Sequence, residues 1–237
     1  MPLAEVGVNP DSLTVRFLGI LIDKQLNYEN HINLLKGKLA KSLFALSTAK
    51  VNSSMKVRKL IYTSLVESHL RFGCLAYGSA HPNKINELFI IQKKAIRLVS
   101  NSHPFSHADP IFARLGLLKV HDLLSLERII FAWKLKNRSQ PVSFNSDFLE
   151  DQSEENMGRR DDPNNFTMPT TEFKLLARTP AILICYDWNN LEPHLKTIGD
   201  LNILKNEFIK SKILSYALFD CPKRNCVSCA SNGIRST

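Results

Sequence analysis

Between residues 26 and 137, apolar side chains recur every three or four positions, and this spacing constrains the fold more than any other feature. In the first run, the residues at this spacing are Ile32, Leu35, Leu39, Leu43 and Leu46. Such spacing places apolar residues on one face of an α-helix. Similar runs cover residues 53–70, 83–100 and 120–137. The sequence therefore predicts a bundle of amphipathic helices.

The ends of the chain add shorter elements to this bundle. The run "FLGILID" at Phe17–Asp23 predicts an apolar strand that needs a neighbour. Asn30, and then Ser53 or Ser54, are the predicted N-caps of the first two helices. Residues 173–196 predict a strand and a short turn, and residues 200–219 predict a last helix with Asp200 as its N-cap. The predicted fold class is mainly α, with a short N-terminal β element and a small C-terminal α(+β) region.

The composition is that of an ordinary soluble protein, with 44% hydrophobic and 22% charged residues. The longest apolar runs fall far short of the roughly 20 residues that a membrane span needs. The first ten residues lack the features of a secretory signal. Five cysteines, an odd number, then indicate reduced thiols. We expect a cytoplasmic or nuclear protein without a membrane partner.

The charge of the chain is unevenly distributed. Residues 24–97 hold thirteen Lys and Arg against three acids, which gives +10, whereas the whole chain carries +9. Residues 139–168 hold seven acids and two arginines, which gives −5. This asymmetry points to a polyanionic partner for the first half, with nucleic acid the leading candidate. A solvated basic helix surface is the open alternative.

Two groups of residues in the sequence have the composition of possible chemical sites. Cys221, Cys226 and Cys229 form C-x4-C-x2-C, a spacing compatible with zinc, and Cys185 or His194 could supply the fourth ligand. Three ordinary tail cysteines are the alternative. The adjacent acids at 161 and 162 lie in a polar stretch with no strand to hold them, as expected for a solvated turn. No recognisable catalytic motif is present in the sequence.

Four segments, taken in order, resemble the region after the polymerase palm in non-LTR (LINE-type, jockey-like) retrotransposon reverse transcriptases. They are "FLGILIDKQLNYENHINLLKGKLAKSLFAL", "RKLIYTSLVESHLRFGCLAYG", "INELFIIQKKAIRLV" and "YDWNNLEPHLK". Phe72 stands where that family usually has Tyr, and Tyr77 stands where it usually has Trp. Glu192-Pro193 replaces the usual Leu-Pro junction.

The resemblance implies a role in gripping nucleic acid. Phe17, Leu18 and Gly19 would correspond to the primer grip, and the helices after them to the thumb that clasps RNA or an RNA–DNA duplex. The fingers, the palm and the Mg²⁺-binding acids of the parent polymerase would lie upstream. The candidate phosphate contacts are Lys36, Lys38, Lys41, Lys56, Arg58, Lys59, Lys93, Lys94 and Arg97.

The predicted organisation has four parts. Residues 1–27 form a primer-grip-like strand region, and residues 28–137 form a helical thumb-like domain. Residues 138–169 form an acidic linker, and residues 170–237 form a C-terminal region with the cysteine-containing tail.

The predicted function is that of a truncated retrotransposon reverse transcriptase. Without fingers and palm, it would bind template–primer non-specifically, would not extend a primer and would need no cofactor. Two alternatives stay open at this point. One is a zinc-stabilised adaptor that binds protein through exposed helices, and the other is a relic without a selected role.

Overall fold

The computed structural model describes residues 14–137, 139, 164–166, 168 and 178–218. These residues are mainly helical, with a two-stranded sheet near their start, which confirms the predicted fold class. Contacts divide the chain into two units. Among the described residues, unit 1 contains 14–73, 80–121 and 211–218, whereas unit 2 contains 74–79 and those from 122 to 210. The four predicted domain ranges stay a prediction.

The helices follow the predicted runs closely. Their bounds are α1 Glu29–Asn52, α2 Met55–Ile61, α3 Ser68–Arg71, α4 Cys74–Tyr77, α5 Pro82–Ser100, α6 Ala108–Leu115, α7 Val120–Lys136, α8 Pro180–Asn189, α9 Pro193–Lys196 and α10 Leu201–Ala217. A π-helical segment, Tyr62–Glu67, joins α2 to α3. The periodicity therefore located the long helices correctly.

The first strand is in fact half of a hairpin. β1 Thr14–Phe17 and β2 Ile20–Asp23 pair antiparallel. The Cα partners are Thr14–Asp23, Val15–Ile22, Arg16–Leu21 and Phe17–Ile20. Leu18 and Gly19 form a two-residue turn with φ of 45° and 87°, as a tight hairpin turn requires. The prediction of one strand over Phe17–Asp23 is wrong, because the chain reverses in its middle.

The Asp23 side chain joins the hairpin to α1. Its two carboxylate oxygens accept backbone N–H groups of Asn27 at 2.9 Å and Tyr28 at 2.6 Å. Tyr28 is the N-cap residue, with φ of 55° and no side-chain capping bond. Asn30, the predicted N-cap, instead donates from Nδ2 to Oγ1 of Thr14 at 2.8 Å. The prediction for Asn30 is therefore wrong, whereas that for Ser54, which accepts from Val57 N–H, is confirmed.

The core of unit 1 lies between α1 and α5, which pack along their buried stripes. From α1 it takes Ile32, Leu35, Leu39 and Leu46, while Leu43 is half-buried. From α5 it takes Ile85, Leu88, Ala95, Ile96 and Val99. Burial of these two apolar faces against each other is the main contribution to the stability of unit 1, as the sequence pattern predicts.

A buried glutamine fixes α5 within this core. Gln92 donates from Nε2 to Oη of Tyr62 at 2.8 Å and to the carbonyl of Leu118 at 2.9 Å. Its Oε1 accepts the N–H of Val120 at 2.8 Å. A buried side-chain amide without partners would destabilise the fold, and here both ends are satisfied.

In unit 2, a short segment is held against α8. Trp188 is 1% exposed and donates from Nε1 to the carbonyl of Asn164 at 2.7 Å. The amide of Asn189 bonds both the N–H and the carbonyl of Phe166, each at 2.8 Å. Residues 164–166, which the sequence assigned to the acidic linker, thus have defined contacts.

The apolar run "AILIC" is helical, so the predicted strand there is wrong. It lies in α8, which begins with Pro180 in its first turn, where proline's fixed φ suits a helix. Ile182, Ile184 and Cys185 are buried. The described part of residues 170–237 contains helices and no strand. Asp200, the predicted cap of α10, accepts N–H groups of Asn202 and Ile203.

Candidate nucleic-acid interface

The three candidate lysines of α1 have different surroundings. Lys36 is half-buried and its Nζ lies 2.6 Å from Oε2 of Glu87 on α5. Lys38 and Lys41 are exposed. Within the described part of the chain, neither of these two makes an ion pair. Lys38 and Lys41 can therefore contact an external phosphate without breaking an internal interaction.

The candidates of α2 divide in the same way. Lys56 is exposed and Lys59 is half-buried. Arg58, in contrast, is 7% exposed, and its Nε donates to the carbonyl of Val99 at 2.9 Å. Its Nη1 donates to the carbonyl of Ser53. These contacts favour a structural role for Arg58, which ties the start of α2 to the end of α5.

The three candidate basic residues of α5 are one exposed and two half-buried side chains. Lys94 is exposed, while the Nζ of Lys93 lies 4.7 Å from the ring centroid of Phe89. Arg97 is half-buried and donates from Nε to the carbonyl of Ser106 at 2.9 Å. Burial lowers the pKa of Arg97, which remains a cation at any physiological pH.

The three acids of residues 24–97 form ion pairs with only a few of the basic residues in that segment. Glu29 and Glu87 pair with Lys84, and Glu87 also pairs with Lys36. Glu67 pairs with Arg71 at 2.9 Å. Because these three are the only acids in residues 24–97, the remaining basic side chains face no acid of this segment. The surface of unit 1 thus carries a net positive charge.

The hairpin presents its apolar tip to solvent. Phe17 is 58% exposed and Leu18 is 79% exposed. Gly73, with φ of 67°, lets the hairpin approach α3 closely, because a Cβ there would lie 2.7 Å from Cδ1 of Ile20. A Cβ at Gly19 would lie 3.4 Å from the Phe72 ring. The tip is therefore held on a defined support.

A cleft of about 340 Å³ lies beside this support in unit 1. It is lined by His31, Leu34, Leu35, Lys38, Ser68, His69 and Phe72. Burial first, and the charge of Lys38 second, lower the pKa of both histidines. This cleft could not be predicted from the sequence, because its residues come from α1 and from α3 with the residue after it, and no local pattern reveals that these two helices are in contact.

The predicted zinc ligands Cys221, Cys226 and Cys229 lie outside the described residues. Cys185, one suggested fourth ligand, is buried, and burial raises its pKa to about 11. His194 is exposed, and its Nδ1 lies 3.5 Å from Oε2 of Glu192. Over the described ranges, no group of three His, Cys, Asp or Glu could hold a metal ion.

No described helix is both long enough and apolar enough to cross a membrane. The acids at 161 and 162 also fall outside the described residues. Residues 17–19 and the nine candidate cations all lie in unit 1.

Comparison with known proteins supports the resemblance to retrotransposon polymerases. The class of protein that this chain resembles is the RNA-directed DNA polymerase of a transposon. The particular relative is the probable RNA-directed DNA polymerase from transposon X-element of Drosophila melanogaster, 29% identical over 155 residues. This similarity confirms the resemblance to non-LTR retrotransposon reverse transcriptases.

The match covers 59% of this chain and 17% of the relative's length. No family profile matches the chain. No solved structure matches it significantly.

Proposed function

We propose that this chain is a thumb-like portion of a transposon RNA-directed DNA polymerase that grips RNA or an RNA–DNA template–primer. The similarity to a transposon polymerase supports the parentage. The grip would act on the sugar–phosphate backbone and would not read base sequence, because lysines provide point charges for phosphates. The zinc-stabilised adaptor is not favoured by this similarity.

The observation that carries the proposal is the imbalance of charge on unit 1. Its three acids in residues 24–97 pair with Lys36, Arg71 and Lys84, whereas four exposed lysines have no ion pair among the described residues. These are Lys38, Lys41, Lys56 and Lys94. Neutralising a phosphate releases condensed counterions, so such lysines contribute affinity that falls as salt rises.

The hairpin is the proposed primer-grip-like element. Phe17 and Leu18 expose apolar surface at its tip, and Gly19 permits the turn that displays them. The support beneath, from Gly73 and Phe72, holds this tip against α3. With Lys38 lining the same cleft as Phe72, this apolar tip could position a nucleic-acid end by contact with its sugar.

We also propose that the chain does not extend a primer by itself. Phosphoryl transfer requires carboxylates that converge on Mg²⁺, and the resemblance assigns these to the palm of the parent. Zinc bound at Cys221, Cys226 and Cys229 stays a separate prediction, which metal analysis of the purified chain tests directly.

The proposal is tested by fluorescence anisotropy with a labelled RNA–DNA hybrid and the full chain over a series of salt concentrations. With the four exposed lysines in contact, the logarithm of affinity should fall against the logarithm of salt with a slope of about −3 to −4. A well-folded chain with no affinity for hybrid at low salt would overturn the proposal. Primer extension by the purified chain with Mg²⁺ would overturn the claim of inactivity.

A further inference from the structure

An exposed aromatic side chain is held in a structured turn between α5 and α6. Phe105 is 81% exposed, one of the most exposed large apolar side chains among the described residues. The N–H of Ser106 donates to the carbonyl of His103 at 3.0 Å, and the N–H of Phe105 donates to Nδ1 of His103 at 3.3 Å. The turn therefore fixes the position at which the Phe105 ring is displayed.

Contacts from both neighbouring helices hold this turn. Arg97 of α5 donates to the carbonyl of Ser106 at 2.9 Å. Nη2 of Arg114 on α6 lies 3.5 Å from Oγ of Ser102, and that hydroxyl also bonds Ser100 at 2.7 Å. Two guanidinium groups thus support the loop that presents Phe105.

The two rings of the turn form an aromatic pair. The His103 and Phe105 ring centroids lie 5.5 Å apart with an interplanar angle of 47°. Leaving a phenyl ring in water forgoes the favourable free energy of burying it, so a partner that covers the ring gains affinity. A planar partner gains most, because it can stack on the ring.

The charge around the turn selects the kind of partner. Residues 88–108 contain Lys93, Lys94 and Arg97 and no acid. Asp109, the next acid along the chain, is paired with Lys119 at 2.7 Å. An exposed aromatic ring on a turn that is held by two arginines, Arg97 and Arg114, is complementary to a planar group on an anionic backbone.

We propose that the His103–Phe105 turn stacks an unpaired nucleobase of single-stranded RNA, with Arg97 and Arg114 beside the phosphate that follows it. This inference rests on the proposed nucleic-acid grip and adds a second, single-stranded contact to it. Inside a duplex, the faces of a base are covered by its neighbours, so only an unpaired base offers a face to Phe105. The turn would therefore bind template beyond the end of the duplex.

The test uses the full chain and an unstructured RNA of about twelve nucleotides carrying 2-aminopurine, a fluorescent base whose emission falls on stacking. Phe105→Ala should weaken binding of this RNA by about 5-fold to 100-fold and restore the emission. Phe105→Tyr should keep both properties, whereas Phe105→Leu, which stays apolar without an aromatic face, should lose them. The matched control is Tyr186→Ala, which removes an exposed ring of unit 2.

A second probe, a blunt RNA–DNA hybrid, separates this inference from the grip itself. Phe105→Ala should leave hybrid affinity within about 2-fold of the original, since duplex phosphate contacts persist. Equal losses on both probes, or no loss on single-stranded RNA, would overturn the stacking turn while the grip stands. Loss of self-association alone in Phe105→Ala would overturn it too and identify a protein contact. Phe105-dependent binding of single-stranded RNA without hybrid affinity would overturn the grip alone.

Discussion

Two lysines of unit 2 are used inside the fold, whereas several lysines of unit 1 are exposed and make no ion pair among the described residues. In unit 2, Lys196 donates to Oδ1 of Asn165 at 2.7 Å and to the carbonyl of Asn189 at 2.8 Å, so its charge is used inside the fold. The Nζ of Lys136 lies 4.8 Å from the Phe166 ring centroid. In unit 1, the exposed lysines such as Lys41 and Lys94 extend into solvent.

The difference shows that a count of cations does not locate a binding surface. What decides the role of a cation is whether carbonyls, rings or carboxylates surround it. In unit 2 the short segment 164–166 supplies carbonyl and amide oxygens, whereas in unit 1 the acids of residues 24–97 are already paired.

The largest effect is expected from neutralising the four exposed lysines of unit 1. The combined change of Lys38, Lys41, Lys56 and Lys94 to Gln should reduce hybrid affinity about a thousand-fold near 0.1 M salt and flatten the salt dependence. Stability should change by less than about 0.5 kcal/mol per site, because these side chains are exposed. Anisotropy and urea titration measure the two quantities. The control is the double change Lys205→Gln and Lys210→Gln in unit 2, which should leave hybrid affinity unchanged. A similar loss of affinity in this control would show that binding does not depend on the lysines of unit 1 in particular.

Arg58 should behave as a structural residue, although candidate lysines neighbour it in the sequence. Arg58→Ala removes a buried donor and leaves the carbonyls of Val99 and Ser53 without it, so the free energy of unfolding should fall by about 2–4 kcal/mol. The neighbouring Lys56→Ala should cost less than about 0.5 kcal/mol. Urea unfolding followed by circular dichroism compares the two. If Arg58→Ala barely changes the free energy of unfolding but weakens hybrid binding, Arg58 belongs among the phosphate contacts.

Lys196 provides the corresponding test in unit 2. Lys196→Met keeps the aliphatic stem but removes the hydrogen bonds to Asn165 and Asn189, at a cost of about 1–3 kcal/mol. Both tryptophans of the chain, Trp133 and Trp188, lie in unit 2, so their fluorescence reports this loss. Hybrid affinity should not change. Weaker binding in a fully stable Lys196→Met would contradict the internal role.

The smallest effect concerns the histidines of the cleft in unit 1. Because the pKa of His31 and of His69 is lower in the folded chain, the unfolded chain binds more protons just below pH 6.5. Stability should therefore be full above that pH and decrease as pH falls toward the folded pKa values. His31→Gln with His69→Gln should flatten the profile between about pH 7 and pH 5, measured by urea midpoints. An unchanged profile would assign the pH dependence to other groups.

The long helices were predictable because their signal is local. Ile32, Leu35 and Leu39 mark the buried face of α1 without any knowledge of its partner. Asp200 could likewise be identified as a cap, since its hydrogen bonds reach only Asn202 and Ile203. Periodicity and capping depend on neighbours in sequence, so the sequence alone contains them.

The predictions from the sequence were wrong where the structure depends on a residue far away in the chain, or where the local pattern fits more than one structure. Arg58 resembles the lysines around it, but its acceptor on Val99 lies 41 residues away. The run "AILIC" is apolar at every position, which fits a buried strand as well as a buried helix. The reversal at Leu18-Gly19 lacks the usual Asn-Gly signal of a hairpin turn, so the two strands appeared to be one.

The buried amide of Gln92 has a mechanical consequence for the cationic surface. Its donors and acceptor contact Tyr62, in the π-helical segment, and Leu118 and Val120, just before and at the start of α7, so its partners come from two stretches of the chain. A rotation of α5 about its own axis, or a slide along it, would break all three bonds together. These bonds therefore fix the orientation of α5 in the core, so a polyanion that binds its lysines meets their charges in a constant arrangement.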